Sequence, residues 1–460
     1  MKKLILTVSA LFFCAAAFAQ KADIVKTGIN LGPLPAVAFD ADKGFQYGAL
    51  LNIYDYGDGS NYPNYNSKLY LEASFFTKGS QLYTLSYDNK ELIPGIRWSS
   101  TVTATVDKAF DFYGFNGYMS YYDYDRIAVG NENKTAQDPS KYLFTPFYRV
   151  SRVQVLAKTD FVGNITSALK WEAGYHLSYF KEGEIDRESI NKGKDDYNRY
   201  PAAAGTLFEL YRDLGLITDE EAGGGLTSSV RLGLTYDTRD KEGAPSRGVW
   251  AEGHVTAAPG WLGTSIPHYR YSFTWRQYFP LIKNDVLTFA YRLNYEGTIG
   301  SNAPYYVLPY MTVMGDYYDR DGMGGYRTTR GLMRARVVGL DMAAYNAEIR
   351  WRFTRFQAFN QNIALGLSAF SDGAMVTRGR DLTPKTGGYS AYKDTASKIF
   401  NKEKDSPHIT VGGGFRFIMN ENFIVAVEYG TPVSRFVDKS NPIYGQDGTG
   451  ALYINTGYLF

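Results

Sequence analysis

Alternation with period two constrains this chain more than any other feature. In Val286 to Gly297, VLTFAYRLNYEG, one face of an extended chain carries Leu287, Phe289, Tyr291, Leu293 and Tyr295, and the other carries Thr288, Ala290, Arg292, Asn294 and Glu296. The preceding YRYSFTWRQYF sets Tyr269, Tyr271, Phe273 and Trp275 against Arg270, Ser272, Thr274 and Arg276. Leu169 to Phe180 opposes Leu169, Trp171, Tyr175, Leu177 and Tyr179 to Lys170, Glu172, His176 and Ser178. Each has one face suited to lipid and one suited to water, and a tilted membrane strand needs about 9 to 11 residues. Beyond the N-terminal leader no apolar run reaches the ~18 residues of a helical span. Aromatic residues make up 16% of the chain against 21% charged, which suits the interfacial girdles of a membrane barrel, although a carbohydrate-binding β-sandwich shares that enrichment.

The same rule predicts strands near 33–40, 44–54, 67–77, 80–88, 95–108, 142–157, 165–180, 227–238, 247–258, 266–280, 284–297, 341–355, 361–371, 407–418, 421–431 and 450–460. Sixteen is an even number, as a single-chain bacterial barrel with both ends in the periplasm requires. The links after predicted strands 5, 7, 11, 13 and 15 are long and those after 6, 10, 12 and 14 are short, as expected of external loops and periplasmic turns. DYGDGSNYPNYN, after the second strand, is too long for such a turn, so either that hairpin protrudes or the count fails there. AAGTLFELYRDLGL places Leu207, Leu210, Tyr211 and Leu214 at helical spacing and predicts a short helix on the extracellular mouth.

MKKLILTVSALFFCAAAFAQ has two lysines, an apolar run and Ala17-Phe18-Ala19 ahead of Gln20, the pattern of a cleaved export leader. Residues 1–19 are expected to be a signal peptide and 20–460 an outer-membrane barrel. Lipid attachment at Cys14 is the alternative, which the bulky Phe13 disfavours. Beyond Cys14 there is no cysteine, hence no disulfide or thiol chemistry. The net charge of +2 leaves no footprint for nucleic acid. His176 and His254 face inward on this pattern, but no Ser/His/Asp spacing or paired-histidine motif accompanies them, so neither an enzyme nor a metal or other cofactor is expected.

Four stretches, in order, resemble the barrel half of the BamA/TamA superfamily, also called bacterial surface antigens. PAVAFDADKGFQYGALL resembles the family's opening hairpin, and YDTRDKEGAPSRGVW, Tyr236 to Trp250, its Asp-Thr-Arg turn followed by Pro and Arg-Gly. GGYRTTRGL with the downstream YNAEIRWRF is similar to the loop and strand carrying the Arg-Gly tip. LSAFSDGAMV resembles the next strand with its inward aspartate. The chain departs from the family in reading Thr329-Arg330-Gly331-Leu332 where Val-Arg-Gly-Phe/Tyr is usual, and in following Asp372 directly with Gly373. The family's N-terminal periplasmic module, which receives the client, is also expected to be missing.

The resemblance implies a 16-stranded, all-β, antiparallel transmembrane barrel in a Gram-negative outer membrane, with an extracellular loop folded inward as a plug. Arg330 is the expected lumenal anchor, bridging Asp372 and then Glu348 through paired hydrogen bonds that lysine cannot reproduce, while Gly331 lets the tip turn. Lumenal charges such as Lys170, Glu172, Arg231, Arg276 and Glu428 are read as filling the wet interior with mixed salt bridges. The seam between first and last strands is expected to be weak, because Pro33 and Pro35 donate no amide hydrogen and Gly457 packs nothing. Tyr458 and Phe460 are read as a C-terminal insertion signal, with Phe460 facing lipid beside Leu452, Ile454 and Tyr458. The function implied is outer-membrane protein insertion or translocation, with outer-membrane lipids, a separate periplasmic partner or client outer-membrane proteins as partners. A passive pore or a structural surface antigen of the same fold is the alternative.

Overall fold

The computed structural model describes residues 24–40, 44–127, 143–191, 199–200, 205–282, 285–312, 322–385, 404–421, 423–456 and 460. Residues 1–19 therefore lie outside it, as do Gly457 and Tyr458. The described residues form one antiparallel sheet of seventeen segments: β1 (Ile29–Pro35), β2 (Ala38–Asp40), β3 (Gly44–Asp55), β4 (Ser67–Phe76), β5 (Gln81–Ile93), β6 (Ile96–Asp111), β7 (Arg149–Asn164), β8 (Leu169–Gly183), β9 (Gly224–Asp237), β10 (Gly248–Ala258), β11 (His268–Ile282), β12 (Leu287–Ile299), β13 (Asp341–Ala358), β14 (Gln361–Arg378), β15 (His408–Met419), β16 (Phe423–Pro432) and β17 (Ala451–Thr456). From β3 onward each strand pairs with the next, and β17 neighbours β2.

Seventeen segments make sixteen staves, because β1 and β2 are one strand interrupted. Both lie on β3, from Ile29 opposite Asp55 to Pro35 opposite Ala49, and then from Ala38 opposite Gln46 to Asp40 opposite Gly44. The strand starts four residues before the expected Pro33, and its break follows the two prolines, whose nitrogens cannot donate to a ladder. The link 56–66 is indeed long, but the register closes normally beneath it, with Asp55 opposite Ser67. A knot of tyrosines holds it: Tyr54 and Tyr56 lie 5.9 Å apart, Tyr54 and Tyr65 5.6 Å, and Tyr56 and Tyr62 5.6 Å.

The barrel is inside-out relative to a water-soluble protein. On β9, Arg231 is 4% exposed while its neighbours Leu232 and Leu234 are 58% and 53% exposed. The same phase sends Phe273, Leu293, Ile349 and Phe415 outward and buries Arg276, Arg292, Glu348 and Arg416. Apolar side chains in that position are stable only against lipid, and polar ones in the interior only when paired. The five long links, 112–148, 184–223, 300–340, 379–407 and 433–450, all leave the same end of the barrel. Leu207–Asp213 in the second of these is the expected helix, closed at its start by a reciprocal cap between Thr206 and Glu209. Its Leu207, Leu210 and Tyr211, with Leu214 just beyond, are fully buried.

Candidate functional site

The described part of the link 300–340 re-enters the barrel, and Arg330, Arg334 and Arg336 tie it to the wall and to neighbouring links. Gly324 and Gly325 take positive φ, which lets the loop reverse, and Gly325 donates its N–H to the carbonyl of Leu332 at 3.0 Å. Thr328 closes the turn through Gly322 and Gly324, and its carbonyl accepts from Asn346 on β13 and Arg292 on β12. Met323, Leu332 and Val337 pack against Met342, Ala344, Ala374 and Val376 of β13 and β14. Arg334 reaches Asp107 and Asp111 on β6 at 2.9 and 2.8 Å. Arg336 donates to the carbonyls of Gly117, Ser120 and Gln446 and so ties two further external links to the loop.

At the tip, Arg330 is wholly buried. Its Nε and Nη2 grip Asp372 of β14 at 2.9 and 3.1 Å, and its backbone N–H donates to the same carboxylate at 3.0 Å. Nη1 donates to Glu348 of β13 and to Glu428 of β16, both at 2.7 Å. The guanidinium lies 3.6 Å from the centre of the Phe370 ring. Arg416 bridges Glu348 and Glu428, and Arg350 donates to Glu348 at 2.9 Å, so three carboxylates face three guanidinia. Such a cluster is stable only as a whole, since removing one member strands a charge where water cannot reach it.

Gly331 follows with φ +89°, and a Cβ there would lie 2.4 Å from the carbonyl carbon of Gly430. Gly430 has the reciprocal constraint, a Cβ meeting the Arg330 carbonyl at 2.8 Å. Two glycines back to back thus let the loop backbone lie directly on β16, and Tyr453 of β17 accepts the Gly331 N–H at 3.0 Å.

Of the expected anchor residues the structure brings all four together: Arg330, Gly331, Asp372 and Glu348. Glu428, read as one of the lumenal charges in mixed salt bridges, joins them as the third carboxylate of the cluster. Arg416, Arg334, Arg336, Phe370, Gly430 and Tyr453 were missed. The inward phase of β15 and β16 marks Arg416 and Glu428 as lumenal, but only the curvature of the wall brings these strands onto the loop tip. Phe460 is a correction. It is 7% exposed and packs with Tyr278 and Ala290, lumenal residues of β11 and β12, while Arg350 donates to its carbonyl oxygen at 2.8 Å. Extending the phase of β17 (Ala451–Thr456) to residue 460 predicts the lipid face, and the contacts of Phe460 place it on the other. Pro33 and Pro35 stand opposite Leu51 and Ala49 in the β1–β3 ladder, and the part of the first strand beside β17 is the three-residue β2.

The two histidines expected to face inward are both paired. His176 meets Asp160 at 2.7 Å and His254 meets Glu172 at 2.5 Å. Glu172, Glu252 and His254 bring three ligand-type atoms within 4.8 Å of one another, but Glu252 is held by Arg276 at 2.7 Å and Glu172 also accepts from Thr235. Charge balance accounts for that group.

Residues 65–435 match the Omp85 superfamily domain. The sequence matches none of the curated proteins. Among solved structures, CdiB from Escherichia coli is similar with a TM-score of 0.52 at 8% identity, over 94% of this chain and 63% of that one. BamA from Haemophilus ducreyi lacking POTRA domains 1-3 has a TM-score of 0.49 at 12% identity, over 94% of this chain and 70% of that one. CdiB from Acinetobacter baumannii has a TM-score of 0.44 at 13% identity, over 94% of this chain and 66% of that one.

Proposed function

Because this chain belongs to the Omp85 superfamily of outer-membrane barrels, we propose that it acts in inserting or translocating outer-membrane polypeptides, and that it is not a passive pore. The observation that carries this reading is the Arg330 cluster. A loop driven into the lumen and pinned there by three buried carboxylates obstructs free diffusion, which favours this reading over an open pore. A barrel that works on its surrounding bilayer needs a rigid interior while its wall rearranges, and the cluster supplies that rigidity.

The proposed working element is the junction of the first and last strands. The described segments that meet there are β2 (Ala38–Asp40) and β17 (Ala451–Thr456), and Pro33 and Pro35 remove two ladder donors just before β2. A junction of few hydrogen bonds opens sideways at less cost than any other. Tyr458 and Phe460 are proposed to guide this chain's own insertion. A periplasmic partner that delivers clients is part of the proposal, as is residence in the outer membrane after removal of residues 1–19.

Depletion of the protein tests this reading. The other outer-membrane proteins should fall in abundance at constant transcript level. An unchanged outer-membrane proteome together with lost solute uptake would transfer the case to a pore, and no change in either to a structural surface role.

A further inference from the structure

The link between β9 and β10, residues 238–247, crosses the periplasmic mouth. Its root is fixed: Arg239 holds Asp237 through two bonds of 2.9 and 2.8 Å and lies 3.8 Å from the centre of the Trp250 ring. From there Glu242 reaches Lys90 on β5 at 3.0 Å and Arg97 on β6 at 3.3 Å. In the other direction Lys241 reaches Asp285, after β11, at 2.8 Å and Glu421, after β15, at 3.5 Å. Ala244 is buried on Ala364, Ile418 and Ile424 of β14, β15 and β16, and its carbonyl accepts from Arg352 of β13, which also grips Glu421. One link therefore touches walls on both sides of its root.

What holds it differs from what holds the external loops. The side chains of Lys90, Glu242, Lys241 and Asp285 are 21, 33, 24 and 18% exposed, within reach of periplasmic ions, and among the described residues the link joins one core cluster, the small one at Ala244. Ion pairs that are partly open to solvent are weaker and more readily screened by salt than wholly buried ones.

We propose that this link is a hinged bar: Asp237, Arg239 and Trp250 stay in place while Glu242 to Ala244 swing out of the mouth, uncovering the lumenal ends of β14 to β16 to the periplasm. The hinge does not depend on what the barrel inserts or translocates.

Ala364 lies directly under the bar, and Ala303 lies in the core of the external cap. In the folded full chain with Cys14→Ser, a single Ala364→Cys thiol is reacted with N-ethylmaleimide, a neutral probe whose own reactivity does not follow salt. Its rate should rise about tenfold between 0.01 and 1 M NaCl, over which the Debye length shrinks from ~30 to ~3 Å, and about as much on adding Glu242→Gln at low salt. An Ala303→Cys thiol should respond to neither. Heat-modifiable migration on a gel confirms folding of each variant. A rate at Ala364→Cys that ignores both salt and Glu242→Gln, or equal rises at the two positions, would overturn the hinge.

Discussion

The two ends of the barrel are closed by different physics. Outside, Phe112, Phe115, Phe208, Tyr211 and Tyr305 from three links interlock edge to face at 5.3 to 6.5 Å, at the centre of the large buried cluster of the molecule. Below that cap, the loop it continues into is pinned by the Arg330 cluster. At the periplasmic end a bar of alternating charges rests on its neighbours through ion pairs partly open to solvent. Burying one such aromatic side chain contributes about 1.5 to 3 kcal/mol and is indifferent to salt. An ion pair open to solvent contributes about 0 to 1 kcal/mol and is screened by salt. The cap is built to stay and the bar to move.

The largest effect should come from the anchor. Arg330→Ala leaves Asp372, Glu348 and Glu428 facing one another with one guanidinium fewer, at a cost of about 3 to 5 kcal/mol, measurable as loss of the heat-modifiable folded form. Asp372→Ala should cost a similar amount, and the pair together less than the sum, because residues in one network do not add. Additive losses would separate the two residues. Next is the cap itself: Phe112→Ala should cost about 3 kcal/mol, with no dependence on ionic strength in urea titrations. A salt-dependent loss there would erase the contrast between the ends. Glu242→Gln should cost under about 1 kcal/mol in the same titrations while exposing the lumen, and a loss as large as that of Phe112→Ala would make the bar a structural element.

The smallest effect is that of acid on the bar. Burial would raise the carboxyl of Glu242, but Arg97, Lys90 and Arg239 outweigh it and hold it well below its usual range. Asp285, likewise pushed up by burial, is brought down to about 2 by Lys241 and Ser246. Groups with depressed folded values stabilise the closed bar above their unfolded values and lose that contribution as pH falls through the folded ones. A spin label on Gly243→Cys, in the Cys14→Ser background, should keep one spectrum from pH 8 to about 5 and gain mobility only below about 4. Gain of mobility near pH 6 would mean that these carboxylates do not hold the bar.

The strands were legible because alternation survives wherever a wall separates lipid from water: Asn346, Glu348, Arg350 and Arg352 point inward as their phase requires. Arg330 with Asp372 was reachable through the loop's length and the resemblance of its tip. Glu428 as a third ligand was not, because the approach of β16 to the loop is set by curvature and by the Gly331–Gly430 contact, which leave no local pattern. The bar was hidden for a related reason. Its charges look like those of any polar turn, and their partners Lys90, Arg97, Asp285 and Glu421 sit on strand ends and turns far apart in sequence. Phe460 misled because its partners Tyr278, Ala290 and Arg350 lie far away in sequence.

The most direct measurement of the insertion reading is reconstitution. The purified protein is placed in liposomes of thick-chain lipid, where barrels insert slowly unaided, and a urea-unfolded outer-membrane barrel is added. The fraction of that client migrating in its folded form is then followed with time. Faster folding than in empty liposomes, lost when the protein carries Arg330→Ala, is the result predicted here. Client folding at the rate of empty liposomes, with a steady ion conductance through the reconstituted protein, would contradict it.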